Sequence, residues 1–416
     1  MLRIIDHRGA EAMLRRRSAR LNQAERIVVP ILEDVRRNGD RALLKYARRL
    51  DGLEKTAKTV AVPASDLEAG YRGLAPGFRR ALRQASRHIR DFARMQMPRA
   101  RMARLGDGQR AGQIVRPLDA MAAYVPSGRY PLPSTLLMTV IPAQVAGVRN
   151  TFAASPRPSP EILGTAAHLG IGRVFRMGGA HAIAAFAFGT GAVPKVDRIV
   201  GPGNIYVAAA KKLLAGEVGI DFVAGPTEIL IVAAQGDPRV IAADMLAQAE
   251  HDVDAAAILV TTSKRLARAV AGEVERQLRT LPTAPTARRS IGRNSAIILA
   301  QTLDQAMELV NAFAPEHLSI PNSSLLASVK SAGSVFVGPF SPEAAGDYAS
   351  GPNHVLPTSG VARLRGGLSA ADFVKVISVQ ELTRPVLGRL SGAITTLARA
   401  EGLEAHARSV EVRLDG

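Results

Sequence analysis

The sequence predicts an α/β fold in which helices pack on parallel sheets, and three observations lead to this prediction. From about Tyr124, short strand-like runs alternate with helical segments, which is the rhythm of successive βαβ units. The chain is 47% hydrophobic but only 4% aromatic, and its abundant alanine and valine suit helices that cover buried parallel strands. With 416 residues, the chain is also too long for one ordinary core, so we expect two or more domains.

Two sets of alternating elements follow one another along the chain. The first set begins with a helix or buried segment at 138–148 and predicts strands at 149–154, 173–177, 197–200 and 220–223, with helices at 160–169 and 182–188. The second set predicts strands at 229–233, 256–261 and 295–299, separated by helices at 238–250, 263–278 and 304–313. Helical spacing of apolar residues also predicts helices before residue 50, over 75–97, and from about 365 to the C-terminus.

The first set lies between the N-terminal helices and the second set, so we expect it to form an inserted domain. The chain then divides into an N-terminal helical segment (1–22), a discontinuous α/β domain (23–122 plus 229–365), an inserted α/β domain (123–228) and a helical C-terminal tail (366–416). No short-period repeat and no low-complexity linker interrupts this organisation.

The most distinctive local pattern runs from Gly201 to Ile229. Its first loop, GPGN at 201–204, follows a strand-like run and precedes a helix rich in alanine and lysine. A tight turn from a strand into a helix N-terminus favours an anionic group, because free N–H groups and the helix dipole meet there. A second glycine loop, GPTE at 225–228, closes the unit. The GPGN turn is weak evidence alone, since no GxGxxG fingerprint follows a strand.

The composition narrows the possible chemistry. The chain contains no cysteine, which excludes disulfides, thiolate ligands and cysteine nucleophiles. Any tightly held metal must therefore use histidine, carboxylate or amide ligands. No apolar run approaches the roughly 18 residues of a membrane span, and the N-terminus has no apolar core of signal-peptide length. We expect a soluble, cytoplasmic protein without membrane partners.

The net charge of +18 raises the question of nucleic-acid binding. The positive charge is spread over predicted helix faces, and no aromatic-rich strand offers a stacking platform for bases. We therefore expect no nucleic-acid partner. The excess charge has two other interpretations, an arginine-rich composition typical of a GC-rich genome or an adaptation to an anionic substrate and cofactor.

Two polar pairs in the second set could carry chemistry. Gln248 and His251 lie three residues apart on one face of a predicted helix, and side chains at that spacing can reach a common metal. Glu316 and His317 follow a proline that stops a helix, and a carboxylate beside an imidazole is a plausible acid–base pair. Taken alone, Gln248 and His251 are more typical of surface residues or of a helix cap, and Glu316 and His317 of a surface pair.

Two further segments carry chemistry-bearing residues near the C-terminus. The loop at 346–354 holds Asp347 and His354, which could bind a metal or a substrate, although aspartate and asparagine are also ordinary turn residues. The segment at 401–406 holds Glu401 and His406, and terminal segments are usually disordered. Four of the eight histidines of the chain lie in these four groups, all in its C-terminal part.

Taken together, in this order and spacing, the motifs resemble the histidinol dehydrogenase family over essentially the whole chain. Beside the stretch at 201–229, the similar segments are YVPSG at 124, PSTLLM at 133, IPAQVAGV at 141, MGGAHAIAAFAFGT at 177, VPKVDRIVGPGN at 193, LAQAEHD at 246, FAPEHL at 313, GDYASGPNHVLPT at 346 and AEGLEAH at 400. The resemblance implies two incomplete Rossmann-like parallel-sheet domains with small helical N- and C-terminal segments.

The resemblance also implies an activity and its cofactors. The family uses zinc and two molecules of NAD to oxidise L-histidinol to L-histidine through the bound aldehyde, in the last steps of histidine biosynthesis. Carried over motif by motif, the zinc ligands are Gln248, His251, Asp347 and His406. This set is made of nitrogen and oxygen ligands alone, which agrees with the absence of cysteine.

The resemblance assigns the remaining roles in the same way. His317 would be the general base for the alcohol, and Glu316 would activate the water that attacks the aldehyde. The residues that would contact the substrate are Thr227, Gln248, His251, His317, Asp347, His354, Glu401 and His406. The residues that would contact NAD are Tyr124, His181 and Asn204. In the family, the residues that match Glu401 and His406 come from the C-terminal tail of the partner subunit. The resemblance therefore implies a homodimer with tail exchange.

The sequence departs from the family pattern at three single positions and in the segment VARLRGGLSA at 361–370. His181 stands where the family usually has glutamine, Thr227 where it has serine, and Ser127 where a second glycine is common. Histidine can still donate one hydrogen bond, and threonine keeps the hydroxyl but adds a methyl group. These departures leave a second hypothesis open, a related zinc- and NAD-dependent alcohol dehydrogenase for another polar substrate such as sulfopropanediol, with Arg129 or Arg365 facing the sulfonate.

Overall fold

The computed structural model describes residues 2–6, 9–10, 13, 21–127, 130–223 and 225–415. Its strands are β1 Arg3–Ile5, β2 Arg101–Arg104, β3 Arg110–Pro117, β4 Ala120–Tyr124, β5 Asn150–Ala154, β6 Arg173–Phe175, β7 Arg198–Val200, β8 Gly219–Ile220, β9 Glu228–Val232, β10 Ala256–Thr261, β11 Ala296–Leu299, β12 His317–Ile320, β13 Ser334–Val337 and β14 Val374–Glu381. Its longer helices are α1 Leu21–Tyr46, α2 Ala64–Gly73, α3 Pro76–Met95, α4 Pro133–Ala146, α5 Pro160–His168, α6 Gly179–Phe188, α7 Ile205–Leu214, α8 Pro238–Ala249, α9 Lys264–Gln277, α10 Ala284–Asn294, α11 Leu303–Phe313, α12 Glu343–Tyr348, α13 Arg384–Ala400 and α14 Glu404–Glu411.

The larger sheet is parallel throughout and has the order β1-β11-β10-β9-β12-β13. Its central strands are buried on both faces, because alternate side chains enter two different cores. In β9, Ile229 and Ile231 pack with α8, α9 and α10, whereas Leu230 and Val232 pack with α11. A continuous aliphatic strand of this kind is typical of a parallel sheet between helices. The predicted second α/β set is therefore confirmed.

The smaller sheet is also parallel and has the order β6-β5-β4-β7-β8. The chain proceeds outward from β4 to β6 and then returns to add β7 and β8 on the other side of β4. The strand order therefore reverses between β4 and β7. In open α/β sheets, the crevice outside the carboxyl ends of the strands at such a reversal is the usual place for a ligand.

The N-terminal helices pack on the smaller sheet, which differs from the predicted grouping of residues 23–122 with the larger one. Val28 and Leu32 of α1 share a core with Phe186 of α6, and Leu82 and Ile89 of α3 share the opposite core with α4. The difference arises because the apolar stripes of α1 and α3 match the two faces of the nearer sheet. The domain boundaries themselves stay a prediction.

A third, antiparallel sheet has the order β14-β3-β2, and it corrects the expectation that the chain is helical after residue 365. All eight residues of β14 pair with β3, which precedes it by more than 250 positions in the sequence. Strand β1 likewise corrects the wholly helical reading of the N-terminus, because it pairs with β11. Both corrections concern short edge elements that only a distant partner strand stabilises.

The C-terminal helices α13 and α14 pack mainly on each other and leave most of their surface exposed. In α13, only Val386 and Ala398 are buried, although the helix has 17 residues. Leu397 and Val412 are among the exposed apolar side chains of this helical pair. Within the described ranges, no helix combines the length and the apolar character that a membrane span requires.

Candidate active site

Most of the side chains that sequence motifs singled out meet at the amino edge of the larger sheet. Thr227 precedes β9, and Glu316 precedes β12, whose first residue is His317. Strands β9 and β12 are hydrogen-bonded neighbours, with His317 opposite Ile229. Helix α8 runs back from the far edge of the sheet and brings Gln248 to the same place. The parallel pairing of the two strands thus joins motifs that are about 90 residues apart.

Three polar side chains form a continuous chain of contacts in this cluster. The Thr227 hydroxyl lies 2.6 Å from Glu316 Oε2 and 2.6 Å from the side-chain amide of Gln248. The Glu228 N–H also donates to Glu316 Oε2, at 2.9 Å. Burial raises the pKa of Glu316 well above its usual value, against the hydrogen bond from Thr227. A carboxyl group with a raised pKa takes up a proton more readily, which suits a general base.

His317 is held in one tautomer by what surrounds its ring. Its Nδ1 lies 3.2 Å from the carbonyl oxygen of Glu228 and 3.3 Å from Glu343 Oε1, so two acceptors face this nitrogen and the proton belongs there. Its Nε2 is buried and has no hydrogen-bond partner in the described structure. Burial lowers the pKa of His317 to about 4, so the ring is neutral and Nε2 offers a free lone pair.

Three ligand-type side chains converge beside this ring. The ligand atoms of His251, Glu343 and Asp347 all lie within 4.8 Å of one another. Asp347 stands between two imidazoles, with Oδ2 at 3.8 Å from His251 Nε2 and Oδ1 at 3.9 Å from His317 Nε2. Two atoms bound to one Zn²⁺ at about 2.0–2.2 Å can be at most ~4.3 Å apart, so His251 and Asp347 fit a shared ion without a direct hydrogen bond.

Glu343 was missed by the sequence reasoning, although a signal was present. It starts α12 after Pro342, four residues before Asp347, and this spacing puts both carboxylates on one face of the helix. The Gln248 amide is satisfied when its nitrogen faces Glu343, 2.9 Å from Oε2, and its oxygen faces Thr227 and the Glu228 N–H. In the opposite orientation, the Gln248 amide oxygen faces the Glu343 carboxylate. Two acceptors then face each other, and a cation bound between them would remove their repulsion.

The loop after α12 completes the cluster. His354 Nδ1 lies 2.9 Å from the carbonyl oxygen of Asp347, and burial lowers the pKa of this imidazole. The neighbouring Asn353 donates its amide N–H to the carbonyl oxygen of Met138 at 2.6 Å. This bond ties the loop to α4, which belongs to the smaller sheet. Thus the structure brings together seven predicted site residues: Thr227, Gln248, His251, Glu316, His317, Asp347 and His354.

Gly346, in helix α12, has a steric reason to be glycine. A Cβ at this position would lie 2.7 Å from the ring of Phe336. That ring in turn packs against the imidazole of His317, with 6.0 Å between the ring centres. The close approach of α12 to β13 therefore determines where Glu343 and Asp347 stand relative to His317.

The three residues predicted to contact NAD lie on the smaller sheet, away from this cluster. Tyr124 ends β4, and its buried hydroxyl accepts the Gly179 N–H at 3.1 Å while burial raises its pKa to about 12. Asn204 caps α7, because its side-chain oxygen accepts the N–H groups of Tyr206 and Val207 at 3.1 Å. Both residues stand at the carboxyl ends of the strands that flank the reversal of strand order.

His181 lies inside the protein rather than on its surface. Its Nε2 is 2.8 Å from Asp51 Oδ2, which also accepts the Gly178 N–H at 2.9 Å, and its ring stacks on Tyr46. Asp51 is the last residue of a π-helical turn that continues α1, and sequence reasoning gave no signal for it. The predicted role of His181 in holding NAD stays a prediction. In the structure, the imidazole of His181 has the buried carboxylate of Asp51 as its partner.

Two predicted site residues are not part of the cluster within this chain. Glu401 and His406 lie on exposed positions at the end of α13 and in α14. Arg365 does not face the cluster with a free guanidinium either, since it makes two hydrogen bonds to Asp372, at 2.8 and 2.9 Å. Arg129, the other arginine considered for a sulfonate, lies outside the described residues.

Two parallel α/β units, with nitrogen and oxygen ligands beside an unpaired imidazole nitrogen, define an α/β enzyme with a candidate metal centre. A family model described as Histidinol dehydrogenase matches residues 14–414. The chain is 48% identical over 394 residues to the histidinol dehydrogenase of Thermus thermophilus, which covers 94% of both chains. It is 44% identical over 418 residues to that of Methanothermobacter thermautotrophicus, which covers 98% of both. The chain therefore belongs to the histidinol dehydrogenase family.

A solved structure agrees with this assignment along the whole chain. The crystal structure of histidinol dehydrogenase from Elizabethkingia anophelis matches with a TM-score of 0.95 and 34% sequence identity, and the match covers 100% of this chain and 98% of that one. The predicted family and fold class are thereby confirmed.

Proposed function

We propose that this enzyme oxidises L-histidinol to L-histidine through L-histidinal, with zinc and NAD, in the last steps of histidine biosynthesis. The observation that carries the proposal is the meeting of Glu316, His317 and Asp347 with the Thr227–Gln248 pair at one sheet edge. The family membership supplies the substrate. The overall reaction takes up one water and two NAD⁺ and gives the carboxylate, two NADH and three protons.

The residues that would hold zinc are His251 and Asp347 from this chain, with Gln248 and the tail residue His406 as further ligands. The chemistry of the donor set supports this, because imidazole, carboxylate and amide oxygen are all ligands that zinc accepts. When bound, zinc supplies a Lewis acid that orients the substrate nitrogens, and NAD supplies the acceptor for each hydride.

His317 is placed to act in the alcohol step. Its Nε2 is neutral, buried and free of hydrogen bonds, so it can accept the proton of the substrate hydroxyl as the carbonyl forms. Its Nδ1–H stays on the carbonyl oxygen of Glu228, which stabilises the imidazolium that results. Burial of the ring keeps water from competing for the same lone pair.

Glu316 is placed to act in the aldehyde step. Its carboxylate accepts hydrogen bonds from Thr227 and from the Glu228 N–H, which orient it beside the imidazole of His317. We propose that it accepts a proton from the water that adds to the aldehyde carbon, giving the hydrate that is then oxidised to the acid. His354 and Thr227, together with the tail residue Glu401, would hold the substrate.

The NAD site would lie at the carboxyl ends of β4 and β7, where the strand order reverses. Tyr124 and the GPGN loop with Asn204 end these two neighbouring strands, and helix α7 begins directly after that loop. The dipole of a helix start favours a pyrophosphate, while the Asn204 side chain accepts the N–H groups of Tyr206 and Val207. His181 would support this site indirectly. It contacts Asp51, and Asp51 accepts the N–H of Gly178 in the loop before α6.

We also propose that the active unit is a homodimer in which each subunit donates its tail to the other. The exposed side chains of Leu397 in α13 and Val412 just after α14 support this, since a tail that buries so little surface in its own chain needs another surface. We expect the enzyme to be cytoplasmic and to have no nucleic-acid partner. The sulfopropanediol alternative is weakened, because Arg365 is engaged by Asp372.

The test combines a metal analysis with an assay on L-histidinol. The purified enzyme should bind about one zinc per subunit and form two NADH per histidinol consumed. Asp347→Asn and His251→Ala should lose zinc and activity together, whereas Asp252→Asn, next to His251 but outside the cluster, should keep both. Absence of NADH formation by the zinc-loaded enzyme would sink the proposal, as would normal zinc content in both ligand variants.

A further inference from the structure

Glu343 is a buried carboxylate that neither the sequence motifs nor the proposed mechanism assigns a role. Its side chain is 3% exposed, and it lies between the imidazole of His317 and the amide of Gln248. Burial raises its pKa well above the usual value, and the nearby carboxylates Asp347 and Glu316 raise it further. Burial of a carboxyl group away from water is energetically unfavourable, so its presence here needs a structural or functional reason.

The contacts of Glu343 separate it from the candidate metal ligands. Its Oε1 is 3.3 Å from His317 Nδ1, so one oxygen of Glu343 faces the ring nitrogen that carries the proton. Asp347, by contrast, has one oxygen at 3.8 Å from His251 and the other at 3.9 Å from His317, distances that leave room for an ion rather than for a hydrogen bond.

We propose that Glu343 is a positioning residue that holds His317 in the tautomer with the proton on Nδ1 and the lone pair on Nε2, and that it is not a metal ligand. The inference rests on the proposed role of His317 as the base. Without the Glu343 carboxylate, only the carbonyl oxygen of Glu228 would face the proton on Nδ1. The ring would then populate the other tautomer, in which Nε2 carries the proton and cannot accept one from the substrate.

Helix α12 places the carboxylates of Glu343 and Asp347 on different sides of the His317 ring. Glu343 opens the helix and points to the Nδ1 side of His317, whereas Asp347, one turn later, faces the Nε2 side. Phe336 covers the ring face and limits its rotation. One short helix thus orients the base with its first residue and offers a metal ligand with its fifth.

The test compares Glu343→Leu, which removes the acceptor, with Glu343→Gln, whose amide oxygen can still accept from Nδ1–H. For Glu343→Leu we expect zinc content as in the unchanged enzyme, a fall in kcat on the order of 10²-fold and a KM for L-histidinol within about threefold. Glu343→Gln should recover at least tenfold of the lost kcat. Asp244→Asn is the matched control, because its carboxylate lies near Glu343 but makes no hydrogen bond to His317.

The tautomer is read directly from long-range ¹H–¹⁵N correlation spectra of histidine-labelled enzyme, with His317 assigned by its loss in His317→Asn. The Nδ1–H pattern should be present in the unchanged enzyme and in Asp244→Asn, and should be lost or averaged in Glu343→Leu. Zinc loss in both Glu343 variants would make Glu343 a ligand and overturn the inference. An unchanged tautomer and kcat in Glu343→Leu would overturn it equally.

These readouts are separable from the proposed function. Zinc content and the tautomer are measured without substrate, so they judge the role of Glu343 even if another alcohol proves to be oxidised. If Glu343→Leu does not give a folded dimer, the metal content and spectrum of Glu343→Gln still discriminate ligand from positioning residue.

Discussion

Lys211 and Asp221 form an ion pair of 2.6 Å in which both side chains are almost fully buried. The pair clamps the GPGN loop from two sides. Lys211 Nζ donates to the Gly201 carbonyl oxygen at 2.6 Å, and Asp221 Oδ2 accepts the Gly201 N–H at 2.7 Å. Gly201 has a φ of 115° and lies against the carbonyl oxygen of Tyr124, so no other residue fits there without displacement.

We expect Lys211→Met to destabilise the enzyme by about 3–5 kcal/mol, because it leaves Asp221 buried without a counter-charge. Lys195→Met is the matched control. Lys195 pairs with Glu217 at 3.3 Å, but both side chains are about half exposed, so its loss should cost less than ~1 kcal/mol. Denaturant unfolding of both variants measures the difference. Equal effects in the two variants would show that burial of the first pair does not matter.

Glu316→Gln should slow the oxidation of L-histidinal far more than that of L-histidinol. Only the aldehyde step needs a base for water, so its rate should fall on the order of 10²–10³-fold, while the alcohol step changes less than about tenfold. Stopped-flow measurement of NADH formed from each substrate separates the two steps. His317→Asn provides the comparison, because it should slow the alcohol step most. Equal slowing of both steps by Glu316→Gln would contradict the assigned role.

Tail exchange can be tested by mixing two inactive variants. His406→Ala removes the proposed ligand from the tail, and His251→Ala removes a proposed ligand from the cluster that the tail would reach. If each tail serves the neighbouring subunit, a mixed dimer contains one site with both parts intact, and random reassortment should restore about a quarter of the activity. Each variant mixed with itself is the control. Recovery at the background level, with subunit exchange verified by native mass spectrometry, would place His406 in its own subunit's site.

Asp244 makes the stability of the enzyme depend on pH in a known direction. Burial raises its pKa to about 6, whereas the unfolded chain has the ordinary value near 4. Between pH 4 and 6 the unfolded chain releases a proton that the folded enzyme keeps, so rising pH favours unfolding. The stability that the protonated carboxyl contributes is complete below about pH 4 and lost above about pH 6.

Asp244→Asn cannot ionise, so it should gain about 1–2 kcal/mol over the unchanged enzyme at pH 7 and nothing at pH 4. Unfolding in urea at a series of pH values measures this difference. Glu308→Gln, at an exposed position of α11, is the control and should differ by less than ~0.5 kcal/mol throughout. A gain that is the same at pH 4 and pH 7 would mean that ionisation of Asp244 is not its cause.

The alternation of strands and helices could be predicted because it depends on local patterns. The aliphatic run at 229–233 and the helix that follows it bury residues at fixed spacings, and such spacings are visible in any single segment. The edge strands could not be predicted in the same way. Strand β14 exists because it pairs with β3, and that partner is distant in the sequence.

The sequence by itself determined which chemical groups are available and in what order they occur, since residue types and short motifs are local properties. Thr227, Gln248, His251 and the Glu316–His317 pair could all be named without coordinates. Only the tertiary structure decided which groups face each other. The tautomer of His317 depends on Glu343, and the surroundings of His181 depend on Asp51, because hydrogen bonds between distant segments form only after the sheets have packed.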